Sequence, residues 1–185
     1  MNKKIWILLL TLLCGLLAAC GRVAASEPVT DSPAPMETAV STTVQPLAAQ
    51  ECNDLRDAVG NTLGVAATLS TADFTDIVSG QTGTGCQITV NGTGETFSSF
   101  LDVAKQLQDT LSALGWTPDM AYLADGPTGT ATGLRLDDKL ALINVEWQPS
   151  PDANCPADQI ITACELTPAQ QIYTITLNVA QVTAG

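Results

Sequence analysis

The clearest pattern in this chain is the alternation of apolar and polar residues in two segments near the C-terminus, residues 139–148 and 171–179. Successive side chains of a strand point to opposite faces of a sheet, so each segment predicts a strand with one buried and one wet face. The apolar positions are Ile143, Val145, Trp147, Tyr173, Ile175, Leu177 and Val179. The polar positions are Asn144, Glu146, Gln148, Thr174, Thr176 and Asn178.

Two other segments have the apolar spacing of amphipathic helices. Residues 53–63 carry one apolar face and are followed by Gly64, a residue that commonly ends helices. Residues 95–114 carry a longer stripe, with Gly115 after it. The predicted stripe consists of Phe97, Phe100, Leu101, Ala104, Leu107, Leu111 and Leu114.

Three further segments, residues 85–91, 120–124 and 132–137, have the composition of strands. The turn at Asp137-Asp138 joins the last of them to the strand at 139–148. Alternation with one wet face is typical of antiparallel sheets. We therefore predict an α+β fold, with two helices packed on one face of a largely antiparallel sheet of about five strands.

The N-terminus has the pattern of an export signal, because two lysines precede an apolar stretch at residues 5–19. A helix of that length rises about 22 Å, less than the roughly 30 Å of a bilayer core. The segment Leu17-Ala18-Ala19-Cys20-Gly21 resembles the lipobox of bacterial lipoproteins. The resemblance covers the first 21 residues and implies cleavage before Cys20, acylation of its thiol with chains such as palmitate, and attachment to the cell membrane or outer membrane. The alternative is an ordinary signal peptide that leaves Cys20 as a free thiol.

The rest of the chain divides by composition. Residues 1–19 form the predicted signal peptide, and residues 20–50 form the lipidated cysteine and a linker rich in Ser, Thr, Pro and Ala. The linker lacks apolar periodicity, so we expect it to be disordered and to span about 30 Å. Residues 51–185 are sufficient for a single α+β domain.

Four cysteines lie in the predicted domain, and outside the cytoplasm an even number indicates disulfides. Four cysteines allow three pairings. Cys52 lies on the inward face of the first helix and Cys86 on the inward face of a strand, so we predict that they form one bond. We predict that Cys155 and Cys164, in one polar excursion between the last two strands, form the other.

The charge and composition of the chain exclude several classes of function. The predicted domain has 16 acidic and four basic residues, a formal net charge of −12, which repels nucleic acid and anionic bilayer surfaces. Histidine is absent from the chain, which removes the usual general base and the commonest transition-metal ligand. We predict no cofactor and no metal site.

The remaining acidic segments are weak indications of either a metal site or an active site. The turn at residues 125–130 has oxygen ligands but lacks the alternating carboxylates of a dedicated calcium loop, so a hairpin connection is favoured. Two carboxylates in a cleft could hydrolyse glycosides, yet the sequence locates no cleft. We interpret Asp73, Asp76, Asp137 and Asp138 as solvated loop residues.

Two functional classes remain. The first is a non-catalytic binding or interaction module of the cell envelope, with an unknown envelope protein, glycan or solute as partner and the polar strand face as its binding surface. The alternative is a histidine-independent extracytoplasmic enzyme that uses carboxylates. A deep pocket lined by acids with raised pKa values would favour the enzyme, and a flat polar face would favour the module.

Overall fold

The computed structural model describes residues 42–156 and 159–184, and the following account is confined to them. The alternating segments form strands because each buries one apolar face. The strands are β1 (Thr42–Gln45), β2 (Thr68–Thr75), β3 (Thr82–Thr93), β4 (Thr117–Asp125), β5 (Gly129–Leu136), β6 (Lys139–Pro149) and β7 (Gln171–Ala184). The helices are α1 (Ala49–Leu63) and α2 (Phe100–Ala113). Neither helix is long and apolar enough to cross a bilayer.

All seven strands form one sheet in the order β2-β3-β1-β7-β6-β5-β4. Every pairing is antiparallel except that of β1 with β3. The predicted α+β class with two helices on a mostly antiparallel sheet is confirmed, but about five strands was wrong. β2 was missed because its two large apolar residues, Leu69 and Phe74, lie on opposite faces and give no alternation.

The fold begins earlier than the boundary predicted at Gln50. β1 runs antiparallel to β7 and parallel to β3, with Val44 opposite Gly83. β3 and β7 pair directly from Cys86 to Thr93 of β3, and β1 pairs with the remainder of β7. The short strand is ordered because it satisfies backbone groups that β7 would otherwise leave unpaired. Residues 1–41, which include the predicted signal, Cys20 and most of the predicted linker, lie outside the described residues.

The main core lies between the helices and one face of the sheet. Ser99 caps α2 by accepting a hydrogen bond from the backbone N–H of Asp102, so this helix begins later than predicted. Phe97 therefore precedes the helix, where its ring packs against Tyr173 with centroids 5.6 Å apart. The buried stripe is narrower than predicted and comprises Val103, Ala104, Leu107 and Leu111. Leu101 and Leu114, both predicted on the stripe, are exposed.

Both disulfides have the predicted pairing. Cys52 of α1 bonds Cys86 of β3, with the two Cα atoms 6.1 Å apart and both residues buried. This bond attaches the first helix to the sheet. Cys155 bonds Cys164 within the excursion between β6 and β7, with Cα atoms 5.6 Å apart.

Candidate functional site

The face of the sheet opposite the helices carries the six polar residues singled out in the sequence. In the register of β6 and β7, Asn144 lies opposite Thr176 and Glu146 lies opposite Thr174. Gln148 and Asn178 point to the same face of the sheet, one at each end of this group. The structure therefore brings all six side chains onto one surface, which we call the polar face.

Strand β3 widens the polar face beyond the six predicted residues. Gln87 lies opposite Asn178 of β7, and the Nε2 of Gln87 donates a hydrogen bond of 3.0 Å to the Oδ1 of Asn178. Thr89 and Asn91 continue the row opposite Thr176 and Thr174. The sequence showed that these residues point away from the core, but it did not show that β3 pairs with β7.

The sheet curls over the polar face, because its two edge strands meet there. β2 and β4 are at opposite ends of the strand order, yet Phe74 of β2 and Tyr122 of β4 belong to one buried cluster. The cluster also includes Leu140 and Ala180, which are paired with each other and share the parity of Asn144. The polar face is thus a trough that an apolar cluster closes at one end.

An irregularity in β4 makes this closure possible. The register with β5 shifts between Asp119 and Ala124, as in a β-bulge, and bulges redirect side chains. Tyr122 lies in the shifted stretch and packs flat on Gly133, where an added Cβ would be only 2.6 Å from the Cβ of the tyrosine. Glycine at this position therefore lets the ring lie against the sheet.

Four polar side chains fasten the two edges together, and we call them the edge latch. The Oη of Tyr122 donates a 2.7 Å hydrogen bond to the Oδ1 of Asp76, in the connection after β2. Arg135 of β5 donates from Nη2 to the Oη of Tyr122 at 2.6 Å and from Nε to the Oδ2 of Asp119 at 2.9 Å. Its Nη2 also lies 3.8 Å from the Oδ2 of Asp76.

The pKa shifts in the edge latch favour a structural role. Burial raises the pKa of Asp76, but hydrogen bonds from Tyr122, Ser79 and Val78 outweigh it, so the net shift is downward. Burial, together with the hydrogen bond to Asp76, raises the pKa of Tyr122 to about 12. The carboxylate stays charged and the phenol stays protonated near neutral pH. This phenol is therefore a poor base or nucleophile.

The interpretation of Asp76 as a solvated loop residue was wrong, since it is only 2 % exposed. Its Oδ1 accepts the backbone N–H groups of Val78 and Ser79, which is an Asx turn. A turn of this kind, followed by Gly80, was a signal that the sequence offered. Asp73 is exposed as predicted, but it lies in β2 opposite Thr84 and not in a loop, so that part of the interpretation was wrong. Asp137-Asp138 forms the turn between β5 and β6.

Two open clefts adjoin the polar face, both near the end that carries Glu146 and Gln148. One of about 310 Å³ lies between the turn at residues 125–130 and the side chains of Asn144 and Glu146. Another of about 430 Å³ lies between Gln148 and the disulfide-bonded excursion. A larger cleft, about 720 Å³, lies beside the end of α1, away from the face.

The turn at residues 125–130 is held by a side-chain hydrogen bond, in which the Oδ1 of Asp125 accepts from Thr130 at 2.6 Å. The described residues contain no group of three or more acidic, cysteine or histidine side chains suited to a metal ion.

Comparison of the chain with protein-family models, with curated proteins and with solved structures gave no match. The function must therefore be inferred from the polar face, the edge latch and the sequence.

Proposed function

We propose that this protein is a lipoprotein anchored outside the cytoplasm through Cys20, and that its folded domain is a non-catalytic binding module of the cell envelope. The resemblance of residues 17–21 to a lipobox supports the anchor. Two disulfides support an oxidising compartment, since such bonds are rare in the cytoplasm.

The observation that carries the binding role is the composition of the polar face. Amide and hydroxyl side chains from three adjacent strands line it, and Glu146 is the one acid among the named residues. The predicted domain has 16 acidic residues, so a nearly uncharged face on it is distinctive. Amides and hydroxyls both donate and accept hydrogen bonds. The face suits a partner with uncharged polar groups, such as a neutral glycan, a polar solute or a polar protein surface.

Binding is favoured over catalysis by the state of the carboxylates. Asp76, Asp119 and Asp152 are the described carboxylates with a shifted pKa, and each is shifted downward. A general acid at neutral pH needs a raised pKa. In addition, both clefts beside the polar face are open and not deep, although Asp125 and Glu146 both line the one of about 310 Å³.

The test is site-specific photo-crosslinking in intact cells. A photoreactive residue at Gln148, which is exposed at the end of the polar face, should capture a partner. The matched control is the exposed Gln106 on α2, which lies on the opposite side of the sheet. Thr176→Arg places a bulky charge in the middle of the face and should abolish the adduct at position 148.

Two results would contradict the proposal. An adduct at 148 that persists in Thr176→Arg would mean that the partner does not occupy the face. Equal capture from 148 and 106 would indicate non-specific collision.

A further inference from the structure

Four large apolar side chains next to the edge latch are exposed to solvent. Ile77 and Val78 follow Asp76 in the connection between β2 and β3 and are 68 % and 57 % exposed. Met120 and Leu123 flank Tyr122 in the irregular part of β4 and are 72 % and 47 % exposed. Single exposed apolar residues are normal, but a contiguous group of them marks an interaction surface.

The edge latch connects the two segments that carry these four residues. β2 and β4 are the two outer strands of the sheet, so their side chains would be far apart if the sheet were flat. The hydrogen bond between Asp76 and Tyr122 joins the segments that carry the two pairs. We call the four exposed residues Ile77, Val78, Met120 and Leu123 the latch patch.

The start of β1 lies toward the connection that carries Ile77 and Val78. β1 runs parallel to β3 with Val44 opposite Gly83, so Thr42, its first residue, lies toward the start of β3. That connection leads directly into β3. Val44 also packs against the cluster of Phe74 and Tyr122.

The charged groups beside the latch patch are two carboxylates and one guanidinium, all within the edge latch. Residues 77–81 contain no charged side chain. The nearby acids, Asp76 and Asp119, both face the guanidinium of Arg135, at 3.8 Å and 2.9 Å. An unpaired carboxylate is costly to remove from water. Because both carboxylates lie near the same guanidinium, part of that cost is offset, and one net negative charge remains beside the patch.

We propose that the latch patch docks onto the lipid bilayer to which Cys20 is attached, so that the domain rests against the membrane and does not float at the end of its linker. This inference rests on the proposed lipid anchor. A tether confines the domain near the surface and gives even a weak apolar contact a high effective concentration. The net charge of −12 opposes anionic lipid, so the contact should be strongest on a zwitterionic surface.

The experiment uses the lipidated mature chain in phosphatidylcholine vesicles, with and without brominated acyl chains. Met120→Trp reports from the patch, and Ile160→Trp is the matched control, because Ile160 is 73 % exposed in the excursion between β6 and β7. The unsubstituted chain gives the background emission from Trp116 and Trp147. Brominated lipid should quench the added emission of Met120→Trp strongly and leave that of Ile160→Trp unchanged. Near-ultraviolet circular dichroism checks that both variants are folded.

The outcomes separate the docking from the anchor. If the chain does not float with vesicles at all, the lipid anchor fails. If it floats but brominated lipid leaves Met120→Trp unquenched, docking fails and the anchor stands. If the Cys20→Ser chain forms a dimer without lipid and Met120→Ser dissociates it, the patch is an interface between copies and the docking proposal is overturned.

Discussion

At the scale of single residues, Tyr122 connects the two edges of the sheet. Its ring packs on Gly133, and its hydroxyl donates to Asp76 while accepting from Arg135. One side chain therefore contributes both to the apolar cluster and to the polar latch. Substitutions that separate these two contributions test how the trough is closed.

We predict that Tyr122→Phe lowers the free energy of unfolding by about 1–2 kcal/mol, because Asp76 loses a donor while the ring keeps its packing. Urea denaturation measures this change. Met120→Ala is the control at a neighbouring exposed position and should change stability by less than about 0.5 kcal/mol. A Tyr122→Phe chain as stable as the parent would show that the backbone amides alone satisfy Asp76.

Asp76 also predicts a dependence of stability on pH. Its folded pKa lies below the ordinary value of 3.8, so the charged form stabilises the fold. This contribution is complete above the unfolded pKa and is lost as the pH falls through the folded pKa, that is, below about pH 4.

We predict that Asp76→Asn is less stable than the parent at pH 7 and that the difference narrows below about pH 4. Melting temperatures of both proteins from pH 7 to pH 2.5 measure it. Subtracting the two curves removes the contribution of Asp152, whose pKa is also lowered. The contribution of Asp119 does not cancel, because it faces the same guanidinium as Asp76 and belongs to the same latch. A difference that stays constant across this range would contradict a charge-dependent latch.

At the scale of elements, the two disulfides act on different parts of the fold. The Cys52–Cys86 bond closes 34 residues and joins α1 to β3 within the core. The Cys155–Cys164 bond closes nine residues within a polar excursion. On the chain-entropy model, the bond that closes the longer loop stabilises the fold by about 4 kcal/mol. The bond that closes the shorter loop stabilises it by slightly less than about 3 kcal/mol.

We predict that Cys52→Ala with Cys86→Ala destabilises the domain by about 4 kcal/mol, a large part of the typical 5–15. Cys155→Ala with Cys164→Ala should cost less and mainly increase hydrogen exchange in the excursion. Urea denaturation and exchange mass spectrometry measure the two effects, and non-reducing peptide mapping tests the pairing. Equal losses of stability from both pairs would contradict this assignment.

The predictability of the elements follows the strength of their local pattern. Helix α1 and the long strands β6 and β7 repeat an apolar spacing over many residues, so their existence and buried faces were predictable. β1 is four residues in a Ser- and Thr-rich stretch, and its order comes from the gap between β3 and β7. The sequence prediction began α2 at residue 95 because it did not recognise Ser99 as the N-cap. The cap places Phe97 outside the helix.

At the scale of the whole molecule, attachment to the membrane and folding should be separable. The predicted lipid is on Cys20, and the described fold begins at Thr42. We predict that Cys20→Ser releases the protein into the soluble fraction and leaves the melting temperature of the domain unchanged. Fractionation after a high-salt wash, with thermal melting of the released protein, measures both. A chain that stays in the membrane pellet would exclude lipidation as its main attachment.

The sequence by itself determined the α+β class, the inward and outward faces of the long strands, the cysteine pairing and the six predicted members of the polar face. Each of these follows from periodicity or spacing within a short stretch of chain, and local backbone geometry fixes that relation. The tertiary structure alone decided that Asp76 is buried against Tyr122, 46 residues away, and that the two segments joined by this contact each carry exposed apolar side chains. Those contacts require a bulge in β4 and the curl of a whole sheet, and the curl is the summed result of many strand pairings that no local pattern encodes.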